Sequence, residues 1–158
     1  MPSSVQADAI EIFYGAATAA EAHVYARLPA AVGSEGQPLS ISGVVVGPAN
    51  IRARCLPAKV PLRASRLDST GEIVGLLAAA VVPDPCFWLP DEPYTYEVTV
   101  VVKSGEHVVA ERKQTLGLRP LGKHGRRFYL QGKPWAVRAV KRRKVSDQDL
   151  EDARLLGA

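Results

Sequence analysis

Pro85-Cys86-Phe87-Trp88-Leu89-Pro90-Asp91-Glu92-Pro93-Tyr94-Thr95-Tyr96-Glu97-Val98 is the stretch that decides the fold of this chain. From Tyr94 to Lys103 the residues alternate, with tyrosines and valines on one face and mostly polar residues on the other, which is the period of a half-buried strand. The prolines before Tyr94 fix φ and lack backbone donors, so that segment is predicted to wrap over an end or edge of a sheet. Phe87 and Trp88 are predicted to point inward, Trp88 as part of the core.

Two further pieces come after this valine-rich strand in the sequence: Gly117-Leu118-Arg119 and Phe128-Tyr129-Leu130-Gln131-Gly132-Lys133-Pro134. Together these pieces resemble glycoside hydrolase family 2, the β-galactosidase, β-mannosidase and β-glucuronidase group, whose chains carry a run similar to LWSPExPYLY … GFR … FxLNGKPVxLRGVNRHE. In that family the run closes an immunoglobulin-like β-sandwich and opens the catalytic (β/α)8 barrel. The resemblance covers residues 85–157, and more faintly the strands from residue 39 onward. The positions that carry it are Trp88, Pro90, Pro93, Tyr94, Tyr96, Gly117, Arg119, Gly132 and Pro134.

Short apolar runs separated by turn residues extend this pattern over the whole chain. They predict strands at 9–14, 23–28, 39–46, 51–56, 61–67, 73–82, 94–103 and 107–116, a smaller hairpin at 127–130 and 133–140, and a helix that begins at Ser146. The predicted fold is mainly β, an immunoglobulin-like antiparallel β-sandwich with a short C-terminal hairpin and helix. We divide the chain into N-terminal strands and a loop at 1–37, the sandwich at 38–125, and a hairpin plus helix at 126–158 that resembles the first βα unit of a glycosidase barrel.

Length and hydropathy limit the kinds of protein that this chain can be. A complete eight-stranded barrel enzyme needs roughly 250 residues, so a chain of 158 residues does not hold one. No run approaches the roughly 20 apolar residues of a membrane span, so no membrane partner is expected. The first residues lack the basic start and apolar stretch of a signal peptide, which favours a cytoplasmic location.

Charge is distributed unevenly along the sequence. Residues 112–144 hold twelve lysines and arginines and no acid, and we call this segment the basic block. Such a block indicates either a solvated face or a surface that binds nucleic acid or another polyanion. The second hypothesis uses Tyr129 and Trp135 as stacking groups, and Trp135 is also a candidate sugar platform. Its cations are Arg126, Arg127, Lys133, Arg138, Lys141, Arg142, Arg143 and Lys144.

The sequence offers no catalytic residue and no cofactor or metal site. A retaining glycosidase needs two carboxylates about 5 to 5.5 Å apart, and the resemblance implies that both glutamates lie on later barrel strands. Asp91 and Glu92 are predicted to lie in a solvated turn. Cys55 and Cys86 have no His or Cys partner at metal-ligand spacing, so buried free thiols are the favoured interpretation, with a disulfide left open.

These observations predict a non-catalytic β-sandwich domain, with a structural or carbohydrate-associated role. Its partners would be a carbohydrate or the remainder of a glycosidase. Two alternatives remain at this point: nucleic-acid or polyanion binding through the basic block, and a fragment of a longer retaining β-glycosidase. A further expectation concerns residues 127–158, whose apolar side chains are predicted to fold back on the sandwich or to pair with a second chain as a homo-oligomer.

Overall fold

The computed structural model describes residues 5–29, 38–65, 75–89, 91–130, 133–136 and 144–155, most of them in β-strands. The chain forms two compact units, one that ends at Arg119 and one that begins at Pro120. No helix within the described ranges is long and apolar enough to cross a membrane. The elements are a 3-10 turn (Ala7–Ala9), β1 (Glu11–Ala17), β2 (Glu21–Pro29), β3 (Leu39–Ala49), β4 (Ala58–Ser65), β5 (Gly75–Pro83), β6 (Thr95–Ser104), β7 (His107–Leu116), β8 (Leu121–His124), β9 (Arg127–Leu130), β10 (Lys133–Trp135) and α1 (Asp147–Leu155).

The first unit is a seven-stranded antiparallel sheet that curls into a sandwich. Its strand order is β1-β2-β5-β4-β3-β6-β7. This is the immunoglobulin order, with the first, second, fifth and fourth strands in one layer and the third, sixth and seventh in the other. Strand β4 joins the layers, because Val44 of β3 pairs with its Pro61 whereas its Arg63 pairs with Ala79 of β5. The predicted fold class is therefore confirmed.

Side-chain hydrogen bonds connect β1 and the turn before it to β7 and the residues after it. The Arg112 guanidinium donates a hydrogen bond to the carbonyl oxygen of Asp8 over 2.9 Å, and the Gln114 amide donates to that of Ile12 over 3.5 Å. The Tyr14 hydroxyl of β1 donates to the carbonyl oxygen of Arg119 over 3.3 Å. These bonds hold the N-terminal strand against the end of the sandwich.

The core lies between the layers, and β6 is its central strand. Tyr96, Val98, Val100 and Val102 are buried, whereas the residues that alternate with them are not, so the predicted faces of this strand are confirmed. Full burial of a valine contributes about 1.5 to 3 kcal/mol. Within the described ranges, no buried residue is polar. The other core side chains are Val5, Ile10, Ile12, Ala22, Val24, Ala26, Leu28, Ile41, Val45, Leu62, Ala78, Ala80, Val82, Ala110, Leu116 and Leu118.

The strand predicted at 51–56 is wrong, because these residues form a loop. The side-chain oxygen of Asn50 accepts a hydrogen bond from the backbone N–H of Arg52 over 2.8 Å, which turns the chain away from the sheet. Ile51 and Leu56 are consequently 91% and 93% exposed. The fourth strand starts instead at Ala58 and accommodates Pro61 within it.

The second unit contains a three-stranded meander, β8-β9-β10, and helix α1. The meander includes the predicted hairpin and one strand, β8, that the sequence did not indicate. The predicted cap of α1 is confirmed, since the Asp149 N–H donates to the Ser146 hydroxyl over 3.2 Å and the Ser146 N–H donates to an Asp149 carboxylate oxygen over 3.0 Å. Residues 137–143 and Gly132 lie outside the described ranges. The domain boundaries at 37/38 and 125/126 stay predictions.

Candidate functional site

The proline-rich segment is tied down at both of its ends. The Trp88 N–H donates to the carbonyl oxygen of Leu118 over 2.8 Å, and Trp88 also forms an isolated β-bridge with Pro93. Between them, Leu89 and Glu92 exchange two backbone hydrogen bonds of 3.0 and 3.1 Å. The segment is thus a closed turn fixed to the end of β7, as expected from its prolines; Pro90 itself lies outside the described ranges.

Trp88 occupies the position where this turn meets the end of β7, and it is half-buried. Its ring lies against Gly117, where an added Cβ would approach the indole Cγ to 2.9 Å. The Arg119 guanidinium carbon lies 4.2 Å from the ring centroid, a cation–π arrangement. The prediction that Trp88 belongs to the core is therefore wrong: a glycine and an arginine cover the indole, whereas Phe87 is the residue of the pair that packs against the core.

Tyr96 fixes the start of the turn. Its hydroxyl accepts a hydrogen bond from the Cys86 N–H over 2.8 Å, and its ring packs on Gly47, where an added Cβ would lie 2.5 Å from Cδ1. A tyrosine on the sixth strand that bonds back to the preceding loop is the tyrosine corner of immunoglobulin-like sandwiches. Burial raises the pKa of the Tyr96 phenol, and the hydrogen bond from Cys86 partly opposes this effect. Tyr94, which precedes β6, has its pKa raised mainly by burial and next by the charge of Glu92.

Both cysteines are free thiols, as the favoured interpretation expected, but they are half-buried and not fully buried. The pKa of the Cys86 thiol is raised by burial first and then by the nearby Cys55 and Glu92. A thiol with a raised pKa is a poor nucleophile at neutral pH. Throughout the described ranges, no group of three or more metal-ligating side chains comes together.

The two acids of the proline-rich turn, Asp91 and Glu92, are exposed to solvent. The Arg52 guanidinium donates to the backbone carbonyl of Asp91 over 3.2 Å and does not pair with its carboxylate. Among the described residues, neither acid forms an ion pair.

The structure divides the basic block between the two units. In the first unit, Arg112 bonds to the Asp8 carbonyl, Lys113 lies 3.6 Å from Glu111, and Arg119 covers Trp88. The cations described in the second unit are Lys123, Arg126, Arg127, Lys133 and Lys144, all exposed. Arg138, Lys141, Arg142 and Arg143 lie outside the described ranges, and their predicted contact role stays a prediction.

The meander does not bring the two candidate stacking groups together. Tyr129 pairs with Pro134, and Phe128 pairs with Trp135. Since paired residues share a face and neighbours alternate, Tyr129 and Trp135 point to opposite sides of this sheet. One stacking platform therefore does not include both rings.

One face of the meander is apolar and open to solvent. Trp135, Phe128 and Leu121 lie on it by register and are 42%, 42% and 48% exposed. Lys123, which pairs with Phe128, and Lys133, which pairs with Leu130, border the apolar side chains. We call this surface, formed by Leu121, Phe128 and Trp135, the meander face. It resembles the inner side of an interface more than a ligand pocket.

Sequence reasoning missed a group of stacked rings on β1 and β2. Phe13 and Tyr25 are directly paired, with ring centroids 5.5 Å apart, and His23 lies 6.3 Å from Tyr25. The signal was available: Ile12 and Val24 are inward residues of their strands, so the neighbouring aromatic residues point outward.

The strand order, the tyrosine corner and the closed proline-rich turn define an immunoglobulin-like β-sandwich of the kind found in multidomain glycosidases. A family model described as glycosyl hydrolases family 2 matches residues 11–119, which is most of the chain and nearly all of the first unit. The chain belongs to glycoside hydrolase family 2. No curated protein matches the sequence.

A solved structure of this family shares the fold, and two others align less closely. A glycosyl hydrolase family 2 member from Bacteroides cellulosilyticus aligns with a TM-score of 0.53 and 20% identity, over 81% of this chain and 16% of that one. The β-glucuronidase of Ruminococcus gnavus aligns with a TM-score of 0.49 and 14% identity, over 82% of this chain and 18% of that one. A putative β-galactosidase from Bacteroides fragilis aligns with a TM-score of 0.49 and 16% identity, over 81% of this chain and 19% of that one. This chain thus spans less than a fifth of each of these three proteins.

Proposed function

We propose that this chain serves as a non-catalytic β-sandwich domain of a larger family 2 glycosidase, in which a separate part of the protein forms the catalytic barrel. The family match over residues 11–119 supports this role, because it covers the sandwich. The family resemblance implies that both catalytic glutamates lie on later barrel strands. The short share of each solved relative that the chain covers is in keeping with one domain among several.

The observation that carries the proposal is the meander face. Three large apolar side chains on one side of a three-stranded sheet are costly to leave in water, at about 25 cal/mol for each Å² of apolar surface. Isolated small sheets also need a packing partner for stability. We assign the meander face to contact with the remaining barrel strands and helices, with Lys123 and Lys133 at its border.

The catalytic half of the proposal is tested by turnover. The purified chain should hydrolyse none of the chromogenic β-galactoside, β-mannoside and β-glucuronide substrates, because a retaining mechanism needs two facing carboxylates. Hydrolysis that persists through successive purification steps, in constant proportion to the protein, would show that the chain holds its own active site.

The packing half is tested by dye binding to exposed apolar surface. The chain should bind an apolar fluorescent dye, and the double variant Phe128→Ser/Trp135→Ser should lose most of that binding. Val108→Ser on β7, which is 57% exposed, is the matched control and should keep it. Equal dye binding by the double variant and the control would contradict an interface at the meander face.

The polyanion hypothesis is tested by measuring the binding of single-stranded nucleic acid to the chain and to one arginine variant. If Arg126→Gln/Arg127→Gln abolishes salt-sensitive binding to single-stranded nucleic acid, that hypothesis replaces the packing role, because phosphate contacts weaken steeply with salt. If the chain shows no such binding, the cations of the basic block in the second unit form a solvated face.

The predicted homo-oligomer is tested by removing the second unit. The cut belongs at Pro120 and not after Gly125, because β8 pairs with β9 and a cut between them would leave β8 unpaired. A chain that ends at Pro120 should lose its oligomeric mass in light scattering if the removed residues join two copies. It should lose thermal stability if they fold back on the sandwich. Unchanged mass and stability would contradict both expectations.

A further inference from the structure

The outer side of β1, β2, β5 and β4 carries a continuous row of side chains. Phe13 pairs with Tyr25, Tyr25 with Ala79, and Ala79 with Arg63, so these four residues lie in one line across four strands. Their strand neighbours Ile12, Val24, Ala78, Ala80 and Leu62 are buried in the core, which places the row on the solvent side. We call this surface the aromatic face; it consists of Phe13, His23, Tyr25, Arg63, Ala79 and Val81.

The rings of the aromatic face are held in nearly one orientation. Phe13 and Tyr25 are inclined by 27°, and His23 and Tyr25 by 23°. The Tyr25 ring leans over Gly15, where an added Cβ would lie 2.8 Å from Cε2. The partner of Tyr25 on β5 is Ala79, whose small side chain forms the floor between Tyr25 and Arg63 in this row. Rings fixed by their neighbours lose little conformational entropy when a ligand stacks on them.

The carboxylates beside this face each contact a neighbouring side chain. Glu11 accepts two hydrogen bonds from Arg27, of 2.8 and 2.5 Å, and Glu21 lies 3.1 Å from the His23 imidazole. Within the described ranges, Arg63 has no carboxylate partner. Strands are about 4.8 Å apart, so Arg63 stands roughly 10 Å from Tyr25 across the Ala79 floor. Among the described residues, the surface therefore combines stacked rings with one guanidinium that has no carboxylate partner.

We propose that the aromatic face binds an acidic saccharide. A sugar ring stacks on Tyr25 and Phe13 over the Ala79 floor, and its carboxylate accepts hydrogen bonds from the Arg63 guanidinium, the side chain whose planar fork matches a carboxylate. A nucleic-acid backbone fits less well, because it needs several cations in series and this row offers one arginine. The inference goes beyond the proposed domain role, because it gives the sandwich a ligand of its own whether or not the meander face is covered.

The experiment titrates the full chain with two probes of equal length, an oligogalacturonate and a neutral galactan oligosaccharide. Binding is measured by calorimetry and by amide chemical shifts. The acidic probe should bind at least about tenfold more tightly than the neutral one, the difference that one charge-assisted hydrogen-bonded contact supports. Shifts should be confined to β1, β2, β4 and β5. Equal affinity for both probes, shifts located in β8 to β10, or no binding of the acidic probe would overturn the proposal.

Two substitutions separate the charge from the stacking contribution. Arg63→Gln should weaken oligogalacturonate binding about tenfold or more, whereas Arg54→Gln, an exposed arginine in the loop before β4, should leave it unchanged. Gly15→Ala should weaken both probes, because the added methyl group displaces the Tyr25 ring. Circular dichroism and melting temperature verify that each variant is folded. Two outcomes would mean that the face binds no acidic sugar. One is an equal loss of affinity in the two arginine variants. The other is a set of amide chemical-shift changes that depend on the protein concentration and not on the concentration of oligogalacturonate.

Discussion

Tyr96→Phe is the sharpest probe of how the proline-rich turn is held. The phenol is 2% exposed and its hydroxyl accepts the Cys86 N–H over 2.8 Å. Phenylalanine fills the same volume, so no cavity forms and only the hydrogen bond is lost. A typical net hydrogen bond contributes about 1 kcal/mol, and a buried donor left without a partner costs about 1 to 3 kcal/mol. Because Cys86 is half-buried and water reaches it in part, we expect a loss of about 1.5 to 2 kcal/mol.

The assay for this variant is urea unfolding followed by circular dichroism, which reports on the sandwich. The melting temperature should fall by roughly 5 °C, as expected for a domain of this size, and hydrogen exchange of the Cys86 amide should speed up. Tyr25→Phe is the matched control, since its hydroxyl makes no hydrogen bond within the described residues, and it should change stability by less than about 0.5 kcal/mol. If both variants lower the free energy of unfolding equally, or if Tyr96→Phe lowers it by less than about 0.5 kcal/mol, the tyrosine corner does not hold the proline-rich turn.

Three other changes test the sandwich. Trp88→Ala should lower the free energy of unfolding in urea by about 2 kcal/mol, because Trp88 is only half-buried and removal of a fully buried indole costs roughly 3 to 5 kcal/mol. A loss above about 4 kcal/mol would show that Trp88 is a core residue. Gly43→Ala should cost about 2 to 3 kcal/mol, because its Cβ would meet the Thr99 carbonyl oxygen; an unchanged melting temperature would contradict that contact. Burial raises the pKa values of Cys86 and Tyr96, so both hold their protons more tightly when folded. Stability should then fall as the pH rises above about 9, and urea titrations of Cys86→Ala should show a smaller fall than the parent chain.

The sequence predicts the sandwich well where a strand has one buried face. The inward valines of β6, Val98, Val100 and Val102, alternate with mostly polar residues, so both the strand and its inward face follow from periodicity. The turn at Gly105 has a positive φ of 58°, which glycine adopts without strain, and this explains why the β6–β7 hairpin is found at the expected place. Local rules suffice for such elements.

Local rules fail where a strand or a loop depends on distant partners. Residues 51–56 alternate like a strand. They form a loop because the Asn50 side-chain oxygen accepts a hydrogen bond from the Arg52 N–H, and because no strand among the described residues pairs with them. Strand β4 contains Pro61 and pairs with a different layer at each end, which no periodicity reveals. Trp88 reads as a core residue beside its prolines, and only the positions of Gly117 and Arg119, about thirty residues later, show that it is covered from outside.

The hydrogen bond between Tyr14 and Arg119 connects the first strand of the sandwich to the segment that follows its last strand. The two residues are 105 positions apart in sequence, yet hydroxyl and carbonyl oxygen are 3.3 Å apart. The three side-chain bonds between these segments follow one order in both: Asp8 with Arg112, Ile12 with Gln114, and Tyr14 with Arg119. The two segments therefore run in the same direction, and the polypeptide leaves the sandwich several residues farther along this pair than the point where it enters. A linker between the two ends would have to run back alongside β1, roughly 20 Å for the six residues from Asp8 to Tyr14 at about 3.3 Å each. A circular permutant with new termini at the exposed Gly105 turn would consequently need a linker of at least about six residues.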